Sequence, residues 1–202
     1  MLAVIDYGAG NLRSVLHALR YLNAQDVKIV EKAADLQGAD KIILPGVGAF
    51  GAGMHELAKR GLDKAVIEAV HQGTPYLGIC LGMQFLFEHS DEMGIHKGLG
   101  ILPGRVVRFP ESSELKIPHM GWNTLTMNRE SALLDQIQAK DYAYFVHSYY
   151  CVPENEADIL ITVDYGIPFT AAVQREHVYG VQFHPEKSQQ TGLTILSNYL
   201  KI

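Results

Sequence analysis

Tyr76-Leu77-Gly78-Ile79-Cys80-Leu81-Gly82 is an apolar run that carries a cysteine between two glycines, and Met83-Gln84-Phe85-Leu86-Phe87-Glu88 continues it as a helix-like segment. A nucleophile with glycine two residues before and two after, on a strand-to-helix turn, is the nucleophile-elbow pattern with Cys in place of Ser. Bulky neighbours would clash in so sharp a turn, which accounts for Gly78 and Gly82. The turn also aims a helix N-terminus at the sulfur, and the helix dipole favours thiolate over thiol. A buried Cys in a glycine-tolerant turn has the same local pattern. The choice between the two depends on what the rest of the chain supplies.

Upstream, strand and helix patterns alternate. Leu2-Ala3-Val4-Ile5 reads as a buried strand and Asp6-Tyr7-Gly8-Ala9-Gly10-Asn11 as a loop. Leu12, Val15, Leu16, Leu19 and Leu22 then recur at helical spacing. Short strands are expected at Val27-Lys28-Ile29-Val30 and Lys41-Ile42-Ile43-Leu44, followed by a glycine-rich loop over residues 45–53. Helical periodicity resumes from Met54 to about Val70, with a break near Gly61. Such alternation implies a parallel sheet covered on both faces.

Downstream the pattern changes. Residues 90–104 are polar and glycine-rich and read as a loop, and residues 105–109 as a strand. Ile117-Pro118-His119-Met120-Gly121-Trp122-Asn123 reads as a loop leading to a short strand. Residues 142–151, rich in aromatic and β-branched side chains, read as one strand. Residues 159–163, 170–174 and 178–183 follow at the close spacing of an antiparallel meander. Leu193, Leu196, Ser197 and Leu200 give a closing helix. No linker, low-complexity tract or internal repeat interrupts the chain.

At 202 residues, 48% hydrophobic and 19% charged, the composition is that of a globular protein with a real core. A net charge of −5 argues against broad nucleic-acid or acidic-membrane binding. Two cysteines, Cys80 and Cys151, are no secreted disulfide framework. No apolar run approaches the roughly 18 residues of a membrane span. Met1 to Asp6 lacks a basic leader and reads directly as a strand, so the expected location is the cytoplasm.

A Cys nucleophile needs a base within hydrogen-bond reach and a group that orients the base. His184-Pro185-Glu186, at the end of the strand over residues 178–183, offers both. Open α/β sheets bind ligands at that edge, and an extended backbone puts the Glu186 side chain on the same side as His184. A turn holding His and Glu for no chemical reason is the bland alternative. Acyl transfer also needs backbone N–H groups aimed at the developing oxyanion. Pro45-Gly46-Val47-Gly48 can turn an amide outward, making the N–H groups of Val47 and Leu81 the candidates. A Walker A loop is excluded, because Ala52 stands where Lys is required. Gly8-Ala9-Gly10 opens like a dinucleotide fingerprint, yet Arg13 occupies the third glycine position. His55-Glu56-Leu57-Ala58-Lys59 opens like a zinc-protease helix, yet Lys59 replaces the second His. The nine histidines show no other ligand spacing, so no metal and no cofactor are expected.

A cysteine elbow, an upstream glycine loop and a downstream His-Pro-Glu, in that order, resemble the class I glutamine amidotransferases over essentially the whole chain. Asp6-Tyr7-Gly8-Ala9-Gly10-Asn11, Pro118-His119-Met120-Gly121-Trp122-Asn123, Phe145-Val146-His147-Ser148-Tyr149 and His184-Pro185-Glu186-Lys187-Ser188-Gln189 resemble one family within that class, the glutaminase subunits of imidazole glycerol phosphate synthase. The resemblance implies an α/β fold: a flavodoxin-like open sheet, mainly parallel, flanked by helices, with an antiparallel extension in the C-terminal half. It implies a single domain over residues 1–202, the size of a free-standing subunit with no room for a fused cyclase.

By the same resemblance, Cys80, His184 and Glu186 form a triad that hydrolyses glutamine to glutamate and ammonia through a thioester. Gly46, Val47 and Gly48 form the oxyanion strand. Gln84 helps hold glutamine, and Ser148 and Tyr149 line the amino-acid end of the pocket. Asn11, Met120, Trp122, Tyr144 and Lys187 face a partner in a heterodimer, a (β/α)8-barrel cyclase. That cyclase uses the ammonia to make imidazole glycerol phosphate and aminoimidazole carboxamide ribotide in histidine biosynthesis. Trp122 as a core aromatic, Asn11 as a helix N-cap and Lys187 as a solvated charge are the bland alternatives. His119, His147 and Cys151 are left as structural. A glutaminase of another pathway, such as pyridoxal phosphate synthesis, a γ-glutamyl or peptide hydrolase, and a binding module with an incidental Cys80 remain the competing readings.

Overall fold

The computed structural model describes residues 1–111 and 115–202. The first half runs β1 (Leu2–Ile5), α1 (Leu12–Tyr21), β2 (Val27–Val30), β3 (Lys41–Gly46), α2 (Phe50–Lys59), α3 (Leu62–His71), β4 (Tyr76–Cys80) and α4 (Leu81–Gln84). The second half runs β5 (His89–Ser90), β6 (His96–Lys97), β7 (Gly104–Arg108), β8 (His119–Thr124), β9 (Thr126–Met127), β10 (Tyr142–His147), β11 (Tyr149–Pro153), β12 (Ile159–Asp164), β13 (Pro168–Arg175), β14 (Val178–Val181) and α5 (Gln189–Lys201).

The strands β2-β1-β3-β4 pair in parallel in that order, and β14 returns to lie parallel against β4. Beyond β14 the sheet continues through β13, β11 and β7 with antiparallel pairing, and β12 also pairs with β13. This is the α/β architecture expected, with its antiparallel extension. Successive residues face opposite, covered sides of the sheet, which is why β1 and β4 are buried along their whole length. Val4, Ile43 and Leu77 pack on one face with Val15 and Leu19 of α1 and Ile195, Leu196 and Tyr199 of α5. Ala3, Ile5, Ile42 and Leu44 pack on the other with Leu57 of α2 and Val66 of α3. Among the described residues no helix is long and apolar enough to cross a membrane.

Several local expectations need correction, among them the glycine-rich loop over residues 45–53, which is already helical from Phe50. The run 142–151 is two strands, not one. β10 pairs only with β8, in a separate two-stranded sheet, while β11 joins the large sheet. The corner at Ser148 is closed by the His147 ring, whose Nδ1 lies 2.8 Å from Tyr149 O, and by Phe109 N–H, which donates to Ser148 O at 3.0 Å. The helix after the elbow is one turn, not two. Residues 98–102 fold back on it, and the N–H groups of Leu99 and Ile101 donate to Phe85 O and Leu86 O. The apolar run 83–87 reflects burial on all sides rather than a long amphipathic helix. Finally, the loop over residues 90–104 contains β6, which pairs with β5.

Candidate active site

Three neighbouring strands deliver the site. Gly46 at the end of β3 is in register with Cys80 at the end of β4. β14 flanks β4 on the other side, with Val181 opposite Ile79, so His184 emerges at the same edge. That edge lies beyond the carboxyl ends of the parallel strands, where open α/β sheets carry their ligands.

Cys80 has φ 54° and ψ −108°, a strained backbone for a non-glycine residue. The flanking glycines are demanded by close approach: a Cβ on Gly82 would meet Leu44 O at 1.8 Å, and one on Gly78 would meet Gly82 O at 2.3 Å. The side chain is 6% exposed. Since α4 has a single turn of aligned peptides, the dipole anticipated from a longer helix is curtailed.

His184 opens a 3-10 turn over Pro185–Lys187. The turn, rather than an extended backbone, brings Glu186 back to the imidazole. Nδ1 donates to Glu186 Oε1 at 2.9 Å, with both side chains buried. The Ser188 hydroxyl fastens this turn to β10: it donates to His184 O at 2.7 Å and accepts from Tyr144 N at 2.9 Å. His184 Nε2 and Glu186 Oε2 are buried without a hydrogen-bond partner. Burial pushes the imidazole toward its neutral form, but the adjacent Cys80 sulfur and the hydrogen-bonded Glu186 carboxylate outweigh it and raise its pKa to about 10.

A cavity of about 310 Å³ opens onto Cys80 and His184, within the size range of small-molecule sites. Val47, Gly48 and Leu81 line it on one side, and Gln84, Ser148 and Tyr149 on another. Gly46 stands behind the wall: a Cβ there would lie 2.6 Å from the Tyr7 hydroxyl and 2.8 Å from Leu81 Cβ. Gln84 is less free than its helical position implied. Its Nε2 donates to Tyr149 O at 3.1 Å and to Gln182 Oε1 at 3.0 Å, leaving only its oxygen uncommitted. A larger cavity of about 1000 Å³, between residues 127–137 and the end of α5, includes neither Cys80 nor His184.

Sequence reasoning missed Glu92, which lines the cavity and accepts from Phe50 N at 2.6 Å. Its position in a polar loop gives no signal. Gln182, fully buried with Nε2 3.6 Å from Cys80 Sγ, was hidden inside an apparent strand. His147 also lines the cavity. It is buried with His119, as expected of structural residues, and Cys151 is buried in the core. Among the described residues no cluster of His, Cys, Asp or Glu is placed to hold a metal ion.

The remaining predicted residues lie on one surface. Met120 and Trp122 project from β8 and are exposed, so Trp122 is no core aromatic. Tyr144 lies directly opposite Trp122 in the β8–β10 ladder, the rings meeting edge to face at 6.0 Å. Lys187 Nζ sits 5.9 Å from the centre of the Tyr144 ring. Asn11 precedes α1 but makes no side-chain cap; its Nδ2 donates to Glu186 Oε1 at 3.3 Å instead.

The family model for glutamine amidotransferase class-I matches residues 3–202. The chain belongs to the class I glutamine amidotransferase family. Relatives of the amidotransferase narrow its kinship. It is 52% identical, over 100% of its length and 94% of theirs, to "Imidazole glycerol phosphate synthase subunit HisH" of Desulfitobacterium hafniense. The protein of the same name from Salinibacter ruber is 47% identical, over 98% of this chain and 93% of its own. These relatives bear out the resemblance drawn from the four flanking stretches. Among solved structures, "Crystal structure of glutamine amidotransferase" matches with a TM-score of 0.75 at 20% identity, over 98% of this chain and 97% of that one. "Structure of PurLQS from Thermotoga maritima" matches at 0.74 and 22%, over 99% and 97%. At such identities the two structures speak for the amidotransferase's fold alone.

Proposed function

We propose that the chain is the glutaminase subunit of an imidazole glycerol phosphate synthase, hydrolysing glutamine at Cys80 and passing the ammonia to a cyclase partner in histidine biosynthesis. One observation carries the chemistry: Cys80, on a strained elbow, shares a small cavity with His184, whose Nδ1 is held by Glu186. Full-length identity to HisH proteins supports the pathway over a pyridoxal phosphate glutaminase.

The Cys80 thiolate attacks the side-chain amide carbon of glutamine. The N–H groups of Val47 and Leu81 take the charge developing on the amide oxygen, an effect worth about 10²–10³ in rate per donor. His184, protonated and oriented by Glu186, gives its proton to the departing nitrogen, and ammonia leaves. A glutamyl thioester remains. His184, now neutral, takes a proton from water, the hydroxyl attacks the thioester carbon, and glutamate and the thiolate are released. Glu92 supplies a carboxylate suited to the α-ammonium group of glutamine, beside Ser148, Tyr149 and the free oxygen of Gln84.

Ammonia released into bulk water near neutral pH is protonated and no longer a nucleophile, so the partner must receive it directly. Met120, Trp122, Tyr144, Lys187 and Asn11 form the face that docks a (β/α)8-barrel cyclase as a heterodimer in the cytoplasm, with residues 1–202 acting as a single domain. Glutaminase activity is low alone and rises when the partner binds its ligand, Val47 being the switch. Adding purified cyclase and its ligand and following glutamine hydrolysis tests the reading. Stimulation is expected, and its absence with both proteins folded overturns the assignment.

A further inference from the structure

Gln182 lies just beyond β14, two residues before His184, and its side chain is fully buried. A backbone carbonyl dictates the orientation of two side-chain amides here. Tyr149 O can only accept, so the Gln84 atom 3.1 Å from it is the nitrogen. That nitrogen also lies 3.0 Å from Gln182, whose facing atom is therefore the oxygen. The remaining end of the Gln182 amide, Nε2, is left 3.6 Å from Cys80 Sγ. Gln182 is held from behind as well, its backbone N–H donating to Ala171 O of β13 at 2.8 Å.

We propose that Gln182 is a catalytic residue of this site, an N–H donor fixed by the Tyr149–Gln84–Gln182 relay that favours the charged form of the Cys80 sulfur. The inference rests on Cys80 being the nucleophile proposed above. A donor aimed at an anion stabilises it relative to the neutral acid, and burial keeps water from doing the same work. The relay also assigns Gln84 a task besides meeting substrate, since its nitrogen sets which end of Gln182 faces the sulfur. With α4 only one turn long, the donor supplies stabilisation that the helix N-terminus lacks. A purely structural Gln182 would fill the same space and leave the sulfur's chemistry unchanged.

The pH dependence of Cys80 alkylation by iodoacetamide separates these roles. The Cys80 peptide is followed by mass spectrometry so that Cys151 does not contribute. The other titratable neighbours of the sulfur are His184 beyond β14, Tyr7 beyond β1 and Cys151 on β11, with His147 of β10 and Glu92 lining the same cavity. All are unchanged in the variants. Gln182→Met removes the donor and moves the alkylation midpoint up by about one pH unit, a tenfold smaller thiolate fraction on the acid side. Gln182→Glu moves it further in the same direction, because a second anion faces the sulfur. Should either variant fail to fold, Gln84→Met releases the relay and shifts the midpoint the same way by less. An unshifted midpoint in a variant with a native thermal melt overturns the proposal. The electrophile needs neither glutamine nor partner. A wild-type chain that never hydrolyses glutamine with cyclase and its ligand present, while the Gln182 variants show the shift, therefore overturns the glutaminase reading alone, and an active wild type whose variants show no shift overturns the donor alone.

Discussion

Asn11 Nδ2 and His184 Nδ1 share one acceptor, Glu186 Oε1, at 3.3 and 2.9 Å. Asn11 directly precedes the chain's first helix and His184 follows its last strand, so the carboxylate ties the two ends of the fold at the site. The Asn11 amide is thus committed to a buried anion rather than to its own helix.

Asn11→Ala removes one of the two donors and leaves Glu186 freer to rotate. With the cyclase present, kcat for glutamine hydrolysis is expected to fall about tenfold, the lower end for a hydrogen bond to a charged group at about 1.5–3 kcal/mol. Asn11→Asp sets a second carboxylate against the first and lowers kcat further. Steady-state kinetics check both, and an unchanged kcat in the Asp variant would remove Asn11 from the site.

Gly82→Ala places a methyl 1.8 Å from Leu44 O, and Gly78→Ala places one 2.3 Å from Gly82 O. Both obstacles are backbone, one in β3 and one in the buried α4 turn, where neither side can yield. Each substitution is expected to cost about 3 kcal/mol or more, the upper range for overpacking, read by urea unfolding. A variant with wild-type stability would mean that the elbow can open.

The elbow was legible in the sequence because this close approach leaves no residue but glycine. The alternation of buried strands in the first half was legible for a similar reason, since β1 and β4 are covered on both faces and cannot hold polar residues. Other features left no such mark. Ser148 breaks a run of aromatic and β-branched residues without Gly or Pro, so the sheet-to-sheet corner looked like continuous strand. Residues 83–87 are apolar because they are enclosed, which imitates a longer helix. Gln182 and Glu92 act through tertiary contacts with segments far away in the chain, and no spacing rule reaches that far.

Burial holds His119 down to about pKa 4 and His147 to about 3. They bond to each other, His119 Nδ1 and His147 Nε2 lying 3.0 Å apart, and Tyr149 O claims His147 Nδ1 as donor. His147 Nε2 is therefore the acceptor and both rings are neutral. Because both folded values lie below the unfolded value of about 6.5, the unfolded chain binds protons first as pH falls. Their contribution to stability is complete above about pH 6.5, declines through the window down to about 3, and is gone below it. Imidazole resonances assigned to the two rings are expected not to titrate above about pH 5. Titration of either near 6.5 would contradict the buried pair.

Trp122 is the chain's single tryptophan and stands 48% exposed on the outer face of β8. Its ring meets the Tyr144 ring edge to face, and Lys187 lies over that ring in turn, so the three side chains support one another. An exposed aromatic supported this way loses little freedom on docking, as binding hot spots require. Trp122→Ala is expected to change the free chain's stability by no more than about 0.5 kcal/mol, as at a surface position. The same variant should weaken cyclase binding by about 2 kcal/mol or more, roughly thirtyfold. Because this chain has no other indole, the emission left after subtracting the cyclase's own reports the event: titration with cyclase should shift it to the blue as the Trp122 ring leaves water. Binding with no spectral shift, or with undiminished affinity in Trp122→Ala, would place the partner on another face and detach Asn11 from the interface.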